Sequence, residues 1–219
     1  MRIRSMDRNT NSPLPEKIGI LLQESRWLGV GAIALFLILA LWGFNKGDPG
    51  WSHAVASQTL HNPAGRAGAW VADLLLYIFG LSAWWWIVLL GMFVWWGVRK
   101  FNAPEEPDRR PLFIALSGFA FLLVASASLE ALRFYSMAVE LPLGPGGMLG
   151  TETSRVLARQ FGYTGSTLLL LAIMAAGWSI FSGMSWLWAF EKLGGFIELF
   201  VGFFYGRVDA WRDRKIGRE

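Results

Sequence analysis

The chain has 219 residues, 54% of them hydrophobic and only 16% charged, with a mean hydropathy of +0.39. A soluble domain carries charge on about a quarter of its residues; here the charges cluster between long apolar runs, so the composition describes a polytopic membrane protein. A formal net charge of +4 fits basic residues that orient such a protein better than it fits a nucleic-acid surface, and the lack of cysteine excludes disulfides and thiolate metal sites.

Residues 1–15 are polar, end in Ser12-Pro13-Leu14-Pro15, and read as a flexible cytoplasmic tail. In 16–26, helical periodicity places Ile18, Leu21, Leu22 and Ser25 on one side, which predicts a short amphipathic helix leading into the membrane. Span one is read over Trp27–Phe44. It is longer than a signal-peptide core and no Ala-x-Ala-like site closes it, so it reads as a signal anchor that stays in the membrane. The outer loop 45–73 follows. Turn formers at Asn45–Gly50 end the span, 51–70 is predicted to lie at the interface, and Asn62-Pro63 marks a helix start. Asp73 falls just outside span two, where the helix dipole favours an acid as a cap or first-turn residue.

Span two, Leu74–Val98, carries no formal charge and exceeds the roughly 20 residues needed to cross a bilayer. It stops at Trp95-Trp96 followed by Arg99-Lys100, the aromatic-then-basic order of a helix leaving the membrane. Trp84, Trp85 and Trp86 fall near its middle. Consecutive positions splay around a helix, so at least one is expected to meet another helix and one to meet lipid. A loop broken by Pro104 and Pro107 leads to span three, 111–132, which is rich in Ser, Gly and Ala and is therefore expected to be the most enclosed. Glu130, near its outer end, is expected to pair with Arg133 one turn on. The outer loop 133–162 contains Leu141–Gly150 and then a short helix capped at Thr151 or Thr153. Span four is read over 163–188, and 189–219 as a cytoplasmic interfacial helix and the start of a linker.

Leu193–Gly206 invites a fifth crossing, but it is short and has Glu198 in its middle. Charge asymmetry decides against it. With four spans and the N-terminus inside, fifteen Lys/Arg lie inside and five outside (Lys46, Arg66, Arg133, Arg155, Arg159). A fifth crossing would export five of the inside ones. The fold class is therefore an all-α membrane protein with four transmembrane helices, N- and C-terminal surface helices, and both termini cytoplasmic.

No catalytic constellation emerges. His53 and His61 are eight apart without a carboxylate cluster, which reads as exposed or interfacial histidine rather than metal site. The Gly144–Gly150 run lacks the Lys-Ser/Thr of a P-loop and reads as a turn-rich loop. Gly202-x-x-x-Gly206 matches GxxxG, but within the surface helix, where it argues little for dimerisation.

Three stretches, in order, resemble one family. Asp48-Pro49-Gly50-Trp51-Ser52 follows span one. Asn62-x-x-Gly65-x-x-Gly68-Ala69-x-x-Ala72-Asp73 leads into span two, with Phe79-Gly80 after it. Gly146-Gly147-x-Leu149-Gly150 lies in the second outer loop. Together they look like the four-helix N-terminal membrane domain of bacterial FtsK-type DNA translocases, over roughly 16–205. The resemblance makes Asp48, Trp51, Asn62, Gly65, Gly68, Asp73, Gly80, Gly146, Gly147 and Gly150, with Trp85, the candidate structural and interaction residues. It implies an inner-membrane anchor at the division septum, with the lipid bilayer, other division proteins and further copies of itself as partners. In the family a hexameric ATPase motor follows and pumps DNA. ATP and Mg belong to that motor. This sequence reaches Glu219 without Walker motifs, so no catalytic, cofactor or metal site and no direct DNA contact are expected of these residues. Two other classes stay open: a small transporter or channel, which needs a polar pore lining, and a lipid-modifying enzyme, for which only Asp48, His53, His61 and Asp73 come near.

Overall fold

The computed structural model describes residues 16–54, 59–100, 110–134, 136, 141–198 and 200–201. The expected N-terminal tail, most of the loop with Pro104 and Pro107, the predicted linker, and Gly202 and Gly206 lie outside the described residues. The elements are α1 (Glu16–Trp42), α2 (Gly65–Phe79), a 3-10 turn (Gly80–Trp84), α3 (Trp85–Lys100), α4 (Arg110–Arg133) and α5 (Gly147–Ser182). Among the described residues there is no strand.

Four helical stretches are long and apolar enough to cross a membrane: Glu24–Trp42, Gly65–Trp96, Leu112–Arg133 and Gly147–Ser182. Their number and order follow the apolar runs. Several boundaries differ from the sequence expectation. The amphipathic lead-in and span one are one continuous helix, because no proline or turn cluster separates them, and that helix ends at Trp42. Span two begins not at Leu74 but at Gly65, so the segment expected at the interface already turns as helix from there. It is also broken. The chain leaves the α-helix at Gly80 (φ 61°), makes the 3-10 turn, and resumes at Trp85.

The second loop is shorter than expected. Helix α5 starts at Gly147 with Gly146 at the N-cap, and Thr151 is not a cap but bonds back through Oγ1 to the Gly147 carbonyl at 2.7 Å. Gly162 (φ 65°, ψ 178°) divides α5 into two helical stretches, one before the bend and one from Tyr163 on. Span four ends at Ser182, not Trp188, because Gly183 takes the left-handed conformation and returns its N–H to the Ser179 carbonyl. Helix resumes over 186–198, and Trp186 Nε1 donates back to the Ala175 carbonyl at 3.0 Å.

Packing is organised around α4, the most enclosed span, with half of its apolar window buried against 11% for α1. Helices α4 and α5 run antiparallel in close contact. A Cβ at Gly177 would stand 2.7 Å from the Leu122 backbone nitrogen and 3.0 Å from the Gly118 carbonyl oxygen. In lipid, where hydrophobic burial no longer drives helices together, such approach supplies the van der Waals contact that does. A mid-bundle core gathers Leu89, Phe119, Leu122, Leu123 and Phe181. The tryptophan triplet splays around it: Trp86 packs on Phe79 and Phe119, Trp85 on Trp178, and Trp84 faces outward. A second core (Ala40, Leu41, Ala72, Leu76, Ala83, Leu141) lies beneath the loops and joins the end of α1 to α2. The α1 turns around Leu28, Ile33 and Leu35 stay exposed, as a lipid-facing span does.

Candidate functional site at the loop end

The buried Asp48, Asn62 and Asp73 gather at one end of the bundle, where the segments after α1 and before α5 fold over the helix ends. Asp48 is 2% exposed in a chain reversal that follows Trp42. Its Oδ1 accepts from the His61 backbone N–H (2.8 Å) and His61 Nδ1 (3.0 Å), and its Oδ2 from the Asn62 N–H (2.8 Å). Burial opposes ionisation here, but the donors from His61 and Asn62 outweigh it and hold the carboxyl below its ordinary 3.8. Asn62 continues the chain of bonds: Nδ2 donates to the Ala40 carbonyl at the end of α1, and Oδ1 accepts from the Ala64 N–H at the start of α2. One carboxylate and one amide thus tie α1, the loop and α2 together. Asn62-Pro63 does mark a helix start, with Gly65 the first helical residue. Gly68 is buried one turn in, where a Cβ would crowd Asn62 Oδ1 at 2.9 Å.

Asp73 is not a cap. It lies in the third turn of α2, 1% exposed, and accepts from both the N–H and the Oγ of Ser52. Trp51, half exposed beside it, packs edge-on against Tyr77 at 5.2 Å. Lys46, Ser52, His53, Tyr77 and Pro142 line an open cleft of about 400 Å³ above these groups. Ser52, His53 and Asp73 stand together without forming a hydrolytic triad. Ser52 Oγ (3.0 Å) and Asp73 Oδ1 (3.7 Å) both face His53 Nδ1, while Nε2 meets the Lys46 carbonyl. A triad needs serine and acid on opposite ring nitrogens. Among the described residues no three His, Asp or Glu side chains converge as a metal site.

The second loop inserts where span two breaks. Leu81 donates its N–H to the Pro145 carbonyl at 2.7 Å, and a Cβ at Gly80 would overlap that same oxygen. Gly147 packs against the Gly80 nitrogen, while Gly146 and Gly150 lie on the Ala127 carbonyl of α4. Only a chain without side chains at these points lets the loop, α4 and the broken span meet backbone to backbone. The 3-10 turn exposes a further donor, the Ser82 N–H, which Glu130 accepts at 3.0 Å; Ser82 Oγ donates to the other carboxylate oxygen at 2.7 Å and lies 2.7 Å from Ser126 Oγ. Glu130 therefore does not pair with Arg133. The carboxylate answers the backbone donors freed by the break, and Arg133 turns to Thr167 and Tyr163 instead. This Ser82–Ser126–Glu130 cluster is absent from the sequence reading; Gly80 followed by Ser82 in the middle of an apolar run is the signal that could have pointed to it. Trp85 sits away from the loop end, in the aromatic core.

These features define a class: a multi-pass helical membrane domain whose buried polar side chains tie loops to helix ends at one end of the bundle. Comparison with known proteins narrows it further. The chain belongs to the family described as the 4TM region of DNA translocase FtsK/SpoIIIE, which matches residues 20–194. It is 42% identical over 216 residues to DNA translocase FtsK 2 of Ralstonia nicotianae, covering 96% of this chain and 28% of that protein. It is 31% identical over 191 residues to DNA translocase FtsK of Pseudomonas syringae pv. syringae (87% and 24% covered). DNA translocase FtsK 1 of Neisseria meningitidis serogroup A is 31% identical over 208 residues (94% and 26%). The chain spans about a quarter of the length of these curated relatives. No solved structure matches it. The resemblance carried by the motif order is thereby borne out.

Proposed function

We propose that this chain is the membrane-anchoring and septum-targeting domain of a DNA translocase that couples chromosome segregation to cell division in the bacterial inner membrane. Its residues act as a non-catalytic scaffold. The four spans hold the motor at the membrane and let copies associate, while the loop end, placed in the periplasm by the positive-inside rule, meets other division proteins. ATP, Mg and DNA are handled by the motor of the parent protein. The observation that carries this reading is the family match over 20–194, a range that takes in all four apolar helices. The burial of Asp48, Asp73 and Asn62 in contacts that fix loops to helix ends supports a rigid outer surface suited to protein contact.

A C-terminal fluorescent fusion in dividing cells, with cytoplasmic and periplasmic reporters in parallel, tests it. A mid-cell band with the C-terminus inside is expected. A uniform membrane signal would show that these residues do not suffice for septal recruitment.

A further inference from the structure

Arg133 ends the third span exposed, with its side chain held on two sides and, among the described residues, no acidic partner. Its Nε donates to Thr167 Oγ1 at 3.2 Å, and its guanidinium carbon stands 4.4 Å from the centre of the Tyr163 ring. Both partners come from the first turns of α5 after the Gly162 bend, so the second half of α5 presets the guanidinium. The acid one turn back, Glu130, is turned inward to Ser82. Among the described residues Arg133 forms no ion pair, whereas Arg155 at the same end is matched by Glu152 at 2.7 Å.

An arginine exposed at the end of a membrane span reaches the interface, where lipid headgroups present anions to it. With Nε occupied, the N–H groups on Nη1 and Nη2 remain, and their planar fork suits two oxygens of one phosphate. The abundant anion at the end of an apolar span is the phosphodiester of a lipid headgroup. Leu168 (65% exposed) and Leu171 (41%) follow Tyr163 down α5 and offer an outward surface for acyl chains.

We propose that Arg133, positioned by Tyr163 and Thr167, binds the phosphodiester of an anionic phospholipid at the loop end of the bundle. Native mass spectrometry of the chain in neutral detergent tests this, with phosphatidylglycerol, phosphatidylcholine and soluble glycerol phosphate as the three probes. Phosphatidylglycerol is expected to stay bound through detergent stripping, and phosphatidylcholine to leave. Arg133→Gln is expected to weaken phosphatidylglycerol about tenfold, the scale of one charge-assisted pair. Arg133→Lys should fall between the two, because it keeps the charge and loses the fork. Tyr163→Leu, which leaves the charge in place and removes only the stacking face, should weaken it severalfold and decides the matter if Arg133→Gln does not fold. Arg159→Gln is the control and should bind as the parent chain does. Equal phosphatidylglycerol binding by Arg133→Gln or by Tyr163→Leu overturns the proposal, as does equal retention of phosphatidylcholine. Displacement of the lipid by glycerol phosphate at matched concentration would make this a free-phosphate site and overturn it too.

Discussion

The carboxylate of Glu130 closes on Ser82 across the bundle, taking the Ser82 N–H at 3.0 Å and its hydroxyl at 2.7 Å. A break in a membrane helix frees backbone donors that lipid cannot satisfy, so another helix must supply the acceptor. Glu130 supplies one and the Pro145 carbonyl, which takes the Leu81 N–H, supplies the next.

Glu130→Ala strands the Ser82 N–H in an apolar setting, leaves its hydroxyl only Ser126 Oγ at 2.7 Å, and is expected to cost about 1–3 kcal/mol of stability. Glu130→Gln keeps an acceptor and should cost less. Denaturant titration of the purified domain, read by tryptophan fluorescence, checks the order. Glu152→Ala, at an exposed pair, is the comparison and should stay within about 0.5 kcal/mol of the parent. A Glu130→Ala variant as stable as Glu152→Ala would mean that the break is satisfied by other groups.

Long-range partners of this kind are what the sequence conceals. The four spans were legible because bilayer thickness fixes a length of apolar chain, and the enclosure of span three because small residues mark packed faces. Membership of the family could likewise be read from Asp48-Pro49-Gly50-Trp51 and its companions. Local rules then misled where tertiary bonds prevailed. Charge spacing paired Glu130 with Arg133, and the dipole rule set Asp73 at a helix start, whereas Ser52, twenty-one residues earlier, is its partner. Gly80 belongs to the family pattern, but that it breaks the span follows from its φ of 61° and the Pro145 carbonyl packed against it, which no local pattern contains.

Close approach between α4 and α5 makes a second prediction. Gly177→Ala drives a Cβ against the Leu122 and Gly118 backbones, which cannot give as a side-chain tip would. The cost expected is about 1–3 kcal/mol, the range of overpacked cores. Gly29→Ala and Gly31→Ala meet nothing within 4 Å and should be neutral. Thermal unfolding in detergent separates the two outcomes; equal melting of all three variants would contradict the packing described.

Asp48 gives the loop end a defined pH dependence. Its folded carboxyl lies below the ordinary 3.8, so ionisation favours the folded loop. That contribution is complete above 3.8 and is lost as pH falls through the lower folded value. Hydrogen exchange of the His61 and Asn62 amides, corrected for intrinsic rates, should show protection that declines once the pH drops below 3.8. In Asp48→Asn protection should be lower throughout and no longer change across that window. Protection that rises as the pH falls below 3.8 in the parent chain would reverse the sign and refute this account.

The helical segment after Gly183 provides the last prediction. Glu191 and Glu198 are seven apart and share a face, while Trp186, Phe190, Leu193 and Ile197 line the opposite one, all four exposed and large. Such a division suits a helix lying in the plane of the membrane surface, apolar face down. A crossing helix would bury Glu198 in hydrocarbon, which is costly. The chain has no cysteine, so single cysteines report without background. Glu191→Cys and Glu198→Cys should react with a membrane-impermeant maleimide only after the inner membrane is permeabilised, whereas Phe190→Cys and Ile197→Cys should stay protected in both conditions. Reaction of Glu198→Cys in intact spheroplasts would place that residue outside, make 186–198 part of a fifth crossing, and undo the four-span topology inferred from the basic residues.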